Sequence, residues 1–255
     1  MDVTTTRSLA GQHSLPLSIG LHLVPGLLIV GAYLLIGSPL AAALGFPAHM
    51  GWVIAMCAGL APVQLGLLAY LGWKRNGRLT FKGVVGYTGR PLRPGKLTAL
   101  VAPLVVVVFV ASVVIAPLDA VVYRTFFTWI PFEVTNGAGG FLQGHDRSTV
   151  VLSLSLSLVL TGIVLPAIEE LYFRGFLLPR MAHLGRAAPV LNAVLFSLYH
   201  FWTPWMLLSR IGFFLPAVWA TWRTKDLRIS VWVHCLSNTI TQALVLASVV
   251  LGVAA

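Results

Sequence analysis

The chain has 255 residues, of which 58% are apolar and only 9% are charged, and its mean hydropathy is +0.89. Soluble domains carry about 25% charged residues, so a chain this apolar could not cover a soluble surface with polar groups. The composition excludes a soluble domain, a disordered chain, a coiled coil and a disulfide scaffold. It predicts an all-α polytopic membrane protein. The net charge of +10 would indicate nucleic-acid binding in a soluble protein, but in a membrane protein it sets loop orientation, and we expect no nucleic-acid partner.

Apolar runs occur along the whole chain, and a membrane helix needs about 20 apolar residues. The fourth run continues past Pro166 as an amphipathic helical stretch to about Met181. The fifth and sixth runs are short, which predicts tilted or partly re-entrant helices. The sequence therefore predicts a bundle of seven or eight transmembrane helices. The runs are Leu15 to Ile36, Gly51 to Trp73, Leu97 to Ala120, Val150 past Leu165, Ala187 to Phe201, Trp205 to Trp222, and Ile229 to Val253.

Basic residues are concentrated between the apolar runs. The loop 74–96 contains seven of them and no acid, which predicts a cytoplasmic loop because such loops collect Lys and Arg. Threading the chain from this loop places Arg180 to Arg186, Arg223 to Arg228 and the N-terminus on the same side, and Val121 to Thr149 on the other. Thirteen of 17 basic residues then face the cytoplasm. We expect an integral protein of a bacterial inner membrane, with a cytoplasmic N-terminus. The basic residues of the loop are Lys74, Arg75, Arg78, Lys82, Arg90, Arg93 and Lys96.

Two adjacent acids lie at membrane depth, just after Pro166. An ionisable group inside a bilayer costs roughly 2.5–3.5 kcal/mol, so Glu169 and Glu170 require an explanation. Glu170 is four residues before Arg174 and shares its helix face, which predicts a structural ion pair. Glu169 points elsewhere and has no partner in the sequence. The other five acids lie at ends of runs or in loops: Asp2, Asp119, Glu133, Asp146 and Asp226.

Three histidines lie in or beside apolar runs. His22, within the first run, is interpreted as a packed, hydrogen-bonded side chain. His200 ends a short run, and His234 begins the last run with Asn238 four residues later on the same helix face. Together with Glu169, these side chains supply a carboxylate, two imidazoles and a carboxamide on three separate helices. Such a group suits acid–base chemistry on a water molecule. The remaining histidines are explained by placement in or near loops: His13, His49, His145 and His183.

Three motifs carry a resemblance to a known family. Glu169-Glu-Leu-Tyr-Phe-Arg174 resembles the Glu-Glu-x-x-x-Arg motif of the CAAX-protease and bacteriocin-processing family, which includes the type II CAAX prenyl endopeptidases. Phe196-x-x-x-His200 and His234-x-x-x-Asn238 are similar to its second and third motifs, in the same order. The resemblance covers roughly Val150 to Val253. It divides the single membrane domain into N-terminal helices, residues 1–149, and a catalytic core, residues 150–255.

The resemblance implies an intramembrane endopeptidase that hydrolyses membrane-associated proteins or peptides within the bilayer. It implies that Glu169 and His200 activate a water, that His234 and Asn238 stabilise the oxyanion, and that Glu170 and Arg174 support the site. We favour catalysis without a metal, because Asn238 rather than a second strong ligand accompanies His234. Zinc stays open as an alternative, with Glu169, His200 and His234 as three protein ligands. The His-Glu-x-x-His pattern of common zinc proteases is absent.

Two other functions are compatible with these residues. A non-catalytic scaffold or bacteriocin-immunity-type protein could keep the same fold. A proton-coupled transporter would also use buried Glu and His, although the sequence has no inverted repeat of the kind typical of transporters. A protease requires Glu169, His200, His234 and Asn238 to converge on one polar cavity. Helix direction predicts that this cavity opens toward the cytoplasm.

Overall fold

A computed structural model describes residues 11–89, 91–130 and 144–253, and within these ranges the chain forms helices and turns without a β-sheet. The all-α class is therefore confirmed. The residues Asp2, Arg7, Arg90 and Glu133, which entered the sequence analysis, lie outside the described ranges. The main helices are α1 (Leu15–Ala43), α2 (Ala48–Asn76), α3 (Pro94–Phe127), α4 (Arg147–Arg180), α5 (Ala187–Leu198), α6 (Leu207–Thr224) and α7 (Arg228–Val250).

The described residues contain five helices that are long and apolar enough to cross a membrane, namely α1, α2, α3, α4 and α7. The predicted count of seven or eight spans is therefore not confirmed. The fifth and sixth runs form the shorter helices α5 and α6, which pack against each other as a hairpin. Twelve residues in α5 extend only about 18 Å, well short of a hydrocarbon core of about 30 Å. The 18 residues of α6 include two charged side chains, Arg210 and Arg223.

Helix α4 alternates between α- and π-helical geometry around the paired acids. Leu160–Val164 and Leu171–Leu177 are π-helical, and they flank the α-helical stretch Leu165–Glu170. Proline cannot donate a backbone hydrogen bond, so Pro166 leaves a carbonyl group of the preceding turn without its usual partner. π-Segments inside α-helices frequently occur at functional sites, and here one lies on each side of Glu169 and Glu170.

Side chains of α7 satisfy the carbonyl groups that α4 leaves free. Asn238 Nδ2 donates to the Thr161 carbonyl at 3.2 Å, and Thr239 Oγ1 donates to the Gly162 carbonyl at 3.1 Å. Because hydrocarbon supplies no water, such carbonyl groups need a donor from the protein. The contacts fix α7 beside the turn of α4 that precedes the paired acids.

The first helix holds α4 and α5 together through a buried polar network. His22 is fully buried, and its Nδ1–H donates to the Ser18 carbonyl at 2.7 Å. Its Nε2 accepts from Asn192 Nδ2 of α5 at 2.9 Å, and Asn192 Nδ2 also donates to the Phe173 carbonyl of α4 at 3.0 Å. The interpretation of His22 as a packed, hydrogen-bonded side chain is thus confirmed.

A glycine of α1 allows close approach of the turn between α5 and α6. A Cβ atom built on Gly26 would collide with the Tyr199 carbonyl oxygen and lie 2.9 Å from Phe201 Cδ2. The absence of a side chain at Gly26 therefore sets how closely the Tyr199–Phe201 turn packs on the first helix.

The basic segments between helices meet at one end of the bundle, which we call the basic end. The loop after α2 bonds to α4 through Gly86 N–H and the Gly175 carbonyl at 2.7 Å. The same loop bonds to the turn before α7, where Leu227 N–H donates to the Tyr87 carbonyl at 2.9 Å. The described parts of the three predicted cytoplasmic segments therefore lie on one side of the molecule.

Candidate active site

A cavity of ≈ 560 Å³ lies between α3, α4, α6 and α7. Glu169, His200, His234 and Asn238 all line it, so the structure brings together the four residues that the sequence analysis singled out. They come from the middle of α4, the turn between α5 and α6, and the first half of α7. The other polar lining residues are Ser112, Asp119, Thr161, Arg210, Ser237 and Thr241.

The two carboxylate oxygens of Glu169 lie in different environments. The side chain is buried, and its Oε1 accepts a hydrogen bond from the Tyr199 hydroxyl. Its Oε2 lies 3.8 Å from His234 Nε2, which is too long for a direct hydrogen bond but leaves both atoms within reach of one shared water. Tyr199 therefore fixes one oxygen of Glu169, while the other faces His234.

His234 is oriented by the second acid of the pair. Its Nδ1 lies 2.8 Å from Glu170 Oε1, and both side chains are buried. With Nδ1–H donating to this carboxylate, Nε2 points toward Glu169. A carboxylate that holds one nitrogen of a histidine determines which tautomer and orientation the ring adopts.

The predicted ion pair of Glu170 with Arg174 is present. Arg174 Nη1 lies 3.0 Å from Glu170 Oε1, and both side chains are fully buried. The Arg174 guanidinium also lies over the Phe196 ring, 3.9 Å from its centroid, with the Phe214 ring at 5.7 Å. Such contacts stabilise a cation that has no access to water. Arg174 thus packs between α4, α5 and α6, and its positive charge neutralises the carboxylate of Glu170.

His200 lies in the turn after α5, and its Nε2 has no hydrogen bond to the residues that the structure describes. Its Nδ1 lies 2.8 Å from the Phe196 carbonyl, to which it donates. In the neutral ring Nε2 is then a hydrogen-bond acceptor. The Tyr199 ring at 4.2 Å and the Trp202 ring at 4.9 Å restrict the orientation of His200.

The side-chain amide of Asn238 uses one of its two N–H groups in a hydrogen bond to the described residues. One N–H of its amide donates to the Thr161 carbonyl, and an amide nitrogen carries two. The side chain is half-buried at the edge of the cavity. The second N–H is available to a bound group.

The cavity lining includes two charged residues that the sequence analysis did not assign to the site. Asp119 was placed at the end of a run or in a loop, and Arg210 was not singled out, but the two side chains are only 9% and 8% exposed and both line the cavity. Helix α3 continues to Phe127, so Asp119 lies inside a helix rather than at its end. Helix α6 begins inside the bundle, and Arg210 Nη1 donates to the Thr203 carbonyl at 3.0 Å. Both residues lie inside apolar runs, and this position in the sequence could have identified them as candidate site residues.

Tyr199 was also missed by the sequence analysis. A tyrosine beside His200 in an apolar run gives no separate signal, because aromatic side chains commonly fill such positions. Only the packing of the turn against α4 reveals that its hydroxyl reaches Glu169.

The cavity extends toward the end of the bundle opposite the basic end. Its lining takes Val108 to Asp119 from α3, the first half of α6 from Arg210 to Phe214, and His234 to Thr241 from α7. The basic turns adjoin the start of α3, the end of α6 and the start of α7. The lining therefore does not support the expected opening toward the basic end. The reason is that α5 and α6 form a short hairpin that places His200 deep in the bundle.

The residues considered for zinc are not arranged as a metal site. Within the described ranges, no group of three His, Cys, Asp or Glu side chains is placed to hold a metal ion. Glu169 and His234 approach each other, but a third ligand does not complete the set.

Residues 151–240 match a family model described as type II CAAX prenyl endopeptidase Rce1-like. The C-terminal part of the chain resembles this protease family. The match spans the paired acids, His200, His234 and Asn238, and it confirms the resemblance seen in the three motifs. Comparison with curated proteins and with solved structures gave no match. Together with the five apolar helices, the family match indicates an integral membrane protein and a hydrolase at the family level.

Proposed function

We propose that this protein is an intramembrane endopeptidase that cleaves membrane-associated proteins or peptides without a metal ion. The observation that carries the proposal is the convergence of Glu169, His200, His234 and Asn238 on one cavity within the bundle. Groups this expensive to bury in a membrane are characteristic of a functional site. The match to a protease family over residues 151–240 supports the same reaction class.

In the proposed reaction, Glu169 and His200 activate a water. The carboxylate of Glu169 takes a proton from the water as its oxygen attacks the peptide carbonyl carbon. Tyr199 holds Oε1, which leaves Oε2 as the proton acceptor beside His234. The free Nε2 of His200 accepts the second hydrogen bond of the water. When the C–N bond breaks, the leaving amine receives the proton from Glu169.

His234 and Asn238 stabilise the negative charge that develops on the carbonyl oxygen. His234 Nε2 donates to this oxyanion only as an imidazolium, and the buried carboxylate of Glu170 stabilises that charged ring, as the aspartate does in a serine-protease triad. The second N–H of Asn238 supplies the other donor. Loss of one such donor typically costs about 10²–10³ in rate.

The test compares wild type with Glu169→Gln, which removes the base and keeps the side-chain shape. Both proteins are reconstituted in liposomes with a farnesylated peptide ending in Cys-aliphatic-aliphatic-X and with an unprenylated transmembrane peptide. Released fragments are identified by mass spectrometry. We expect cleavage by wild type and at least about a 10³-fold lower rate for Glu169→Gln.

A matched pair of histidine variants separates loss of chemistry from loss of charge or volume. His200→Ala removes a cavity residue, whereas His145→Ala removes an exposed histidine outside the cavity, whose ring lies 3.1 Å from the Gly45 carbonyl oxygen. We expect His200→Ala to lose activity and His145→Ala to keep it. A Glu169→Gln protein that cleaves as fast as wild type would overturn the proposal and favour a non-catalytic role for the fold.

A further inference from the structure

A second cavity, of ≈ 420 Å³, lies at the basic end of the bundle, where α2 and α4 end and α1 begins. Lys74 and Arg75 line it from the last turn of α2, and Arg180 lines it from the last turn of α4. His13, just before α1, forms another part of the wall. None of these residues belongs to the candidate active site.

Arg180 forms a fixed, buried part of this cavity. It is 8% exposed, and its Nη1 donates to the Val84 carbonyl at 3.0 Å and the Phe176 carbonyl at 2.7 Å. Its guanidinium carbon lies 4.0 Å from the centroid of the Phe176 ring. Its hydrogen bonds to the described part of the chain use Nη1, so Nε and Nη2 keep their N–H groups for a bound ligand.

The loop between α2 and α3 is shaped to accommodate Arg75. Gly83 has φ +75°, and a Cβ atom there would lie 2.7 Å from Arg75 Nε. The Arg75 guanidinium therefore lies directly on the backbone of this glycine. Lys74 and Arg75 are exposed at the mouth of the cavity, so their charged ends can meet a ligand from the membrane surface.

Charge in this cavity is strongly one-sided. Lys74, Arg75 and Arg180 carry three positive charges, and the described lining contains no acid. Burial and the positive charge of Arg180 lower the pKa of His13 to about 4, so His13 is neutral at pH 7 and adds no charge. Like charges gathered in a concave site repel one another and attract an anion.

The general excess of basic residues in cytoplasmic loops does not explain why these charges line a cavity. That excess is satisfied by exposed side chains such as Arg78 and Lys82, which lie in the same loop and outside the cavity lining. It does not require a buried arginine whose Nε and Nη2 have no acceptor among the residues that the structure describes. The planar fork of arginine suits phosphate oxygens in particular.

We propose that this cavity binds the phosphate group of an anionic lipid. The cavity lies at the ends of two candidate membrane-spanning helices, where lipid headgroups are found. Basic pockets between helix ends are suited to such headgroups. Arg180 contacts the phosphate from below, while Lys74 and Arg75 close over it from the aqueous side. A soluble phosphate shares this chemistry, and the experiment separates the two sources.

The test uses the full chain purified in neutral detergent and measures bound lipid by native mass spectrometry. The probes are short-chain phosphatidic acid, phosphatidylcholine of the same chain length, and inorganic phosphate. We expect phosphatidic acid to bind at least about tenfold more tightly than phosphatidylcholine. Lys74→Gln combined with Arg75→Gln is expected to weaken phosphatidic acid binding about 30-fold. The matched control, Arg78→Gln with Lys82→Gln, removes the same charge from the same loop and is expected to change binding less than threefold.

Three outcomes would overturn the proposal. Equal weakening by the two double variants would show that binding follows loop charge and not the cavity. Equal binding of phosphatidylcholine would show that the net charge of the headgroup is not recognised. Displacement of phosphatidic acid by inorganic phosphate at equal concentration would assign the cavity to a soluble phosphate. The variants lie on exposed side chains, so each protein is expected to fold, and a thermal unfolding midpoint within about 2 °C of wild type verifies this.

Discussion

Glu170 Oε1 accepts a hydrogen bond from His234 Nδ1–H, with 2.8 Å between oxygen and nitrogen, and it lies 3.0 Å from Arg174 Nη1. One buried carboxylate oxygen therefore balances an arginine and orients a histidine of the candidate active site. The sequence analysis predicted the contact with Arg174 from helix spacing. The contact with His234 joins α4 to α7, and it connects the stability of the bundle to the proposed chemistry.

Glu170→Gln is expected to lower both stability and activity. It leaves Arg174 as an unpaired buried charge, which typically costs about 3–5 kcal/mol. The double variant Glu170→Gln with Arg174→Met removes both charges and is expected to recover most of the free energy of unfolding. Its cleavage rate is expected to stay at least about 100-fold below wild type, because His234 still lacks its carboxylate. Recovery of cleavage in the double variant would show that Glu170 acts only through Arg174.

Tyr199→Phe is expected to reduce the cleavage rate about tenfold, because Glu169 loses the donor that holds Oε1. Tyr172→Phe is the matched control, since it also removes one buried hydroxyl, which donates to the Leu21 carbonyl at 2.8 Å. Both variants are expected to lose about 0.5–1.5 kcal/mol of stability. Only Tyr199→Phe should slow cleavage of the reconstituted peptide, and equal rates for the two would contradict a positioning role for Tyr199.

Gly26→Ala is expected to displace the turn that carries Tyr199 and His200, because its Cβ atom would collide with the Tyr199 carbonyl. We expect a loss of about 1–3 kcal/mol together with reduced cleavage. Gly20→Ala and Gly31→Ala, in the same helix, meet nothing within 4 Å. Those controls are expected to gain about 0.5–1 kcal/mol from helix propensity. A Gly26→Ala protein with unchanged cleavage would show that α1 does not set the position of His200.

Active protein is expected to contain far less than one zinc ion per chain. The reason is that Glu169, His200 and His234 do not form a three-ligand group in the structure. Elemental analysis of the purified protein, paired with cleavage measured before and after chelation, checks this. Stoichiometric zinc, with activity lost on chelation and restored by added zinc, would instead make these three residues metal ligands.

A reporter fused after Lys82 is expected to be cytoplasmic, because the loop 74–96 lies at the basic end with the turns after α4 and before α7. A reporter fused after His145, between α3 and α4, is expected on the opposite side. Reporters that require either cytoplasmic or extracytoplasmic folding give opposite readings for the two fusions. The reverse result would invert the proposed topology.

The sequence by itself determined the fold class, most helix positions and the candidate residues. Apolar composition left no soluble alternative, and the cost of burying charge in a bilayer singled out Glu169 and Glu170. Spacing on one helix predicted the pair of Glu170 with Arg174, because neighbours within a helix are set by its period. The spacing also placed His234 and Asn238 on one face of α7.

Only the tertiary structure decided how these helices meet. The contacts of Tyr199 with Glu169 and of His234 with Glu170 cross between helices, and helix period carries no information about which neighbours pack together. Asp119 was misplaced, and Arg210 was missed, because hydropathy measures the length of an apolar run and not the position of a helix in the bundle. For the same reason, the length of the apolar runs did not predict how many helices are long enough to span the membrane. Two apolar runs became the short hairpin of α5 and α6, whose packing places His200 in the cavity with the other three candidate residues.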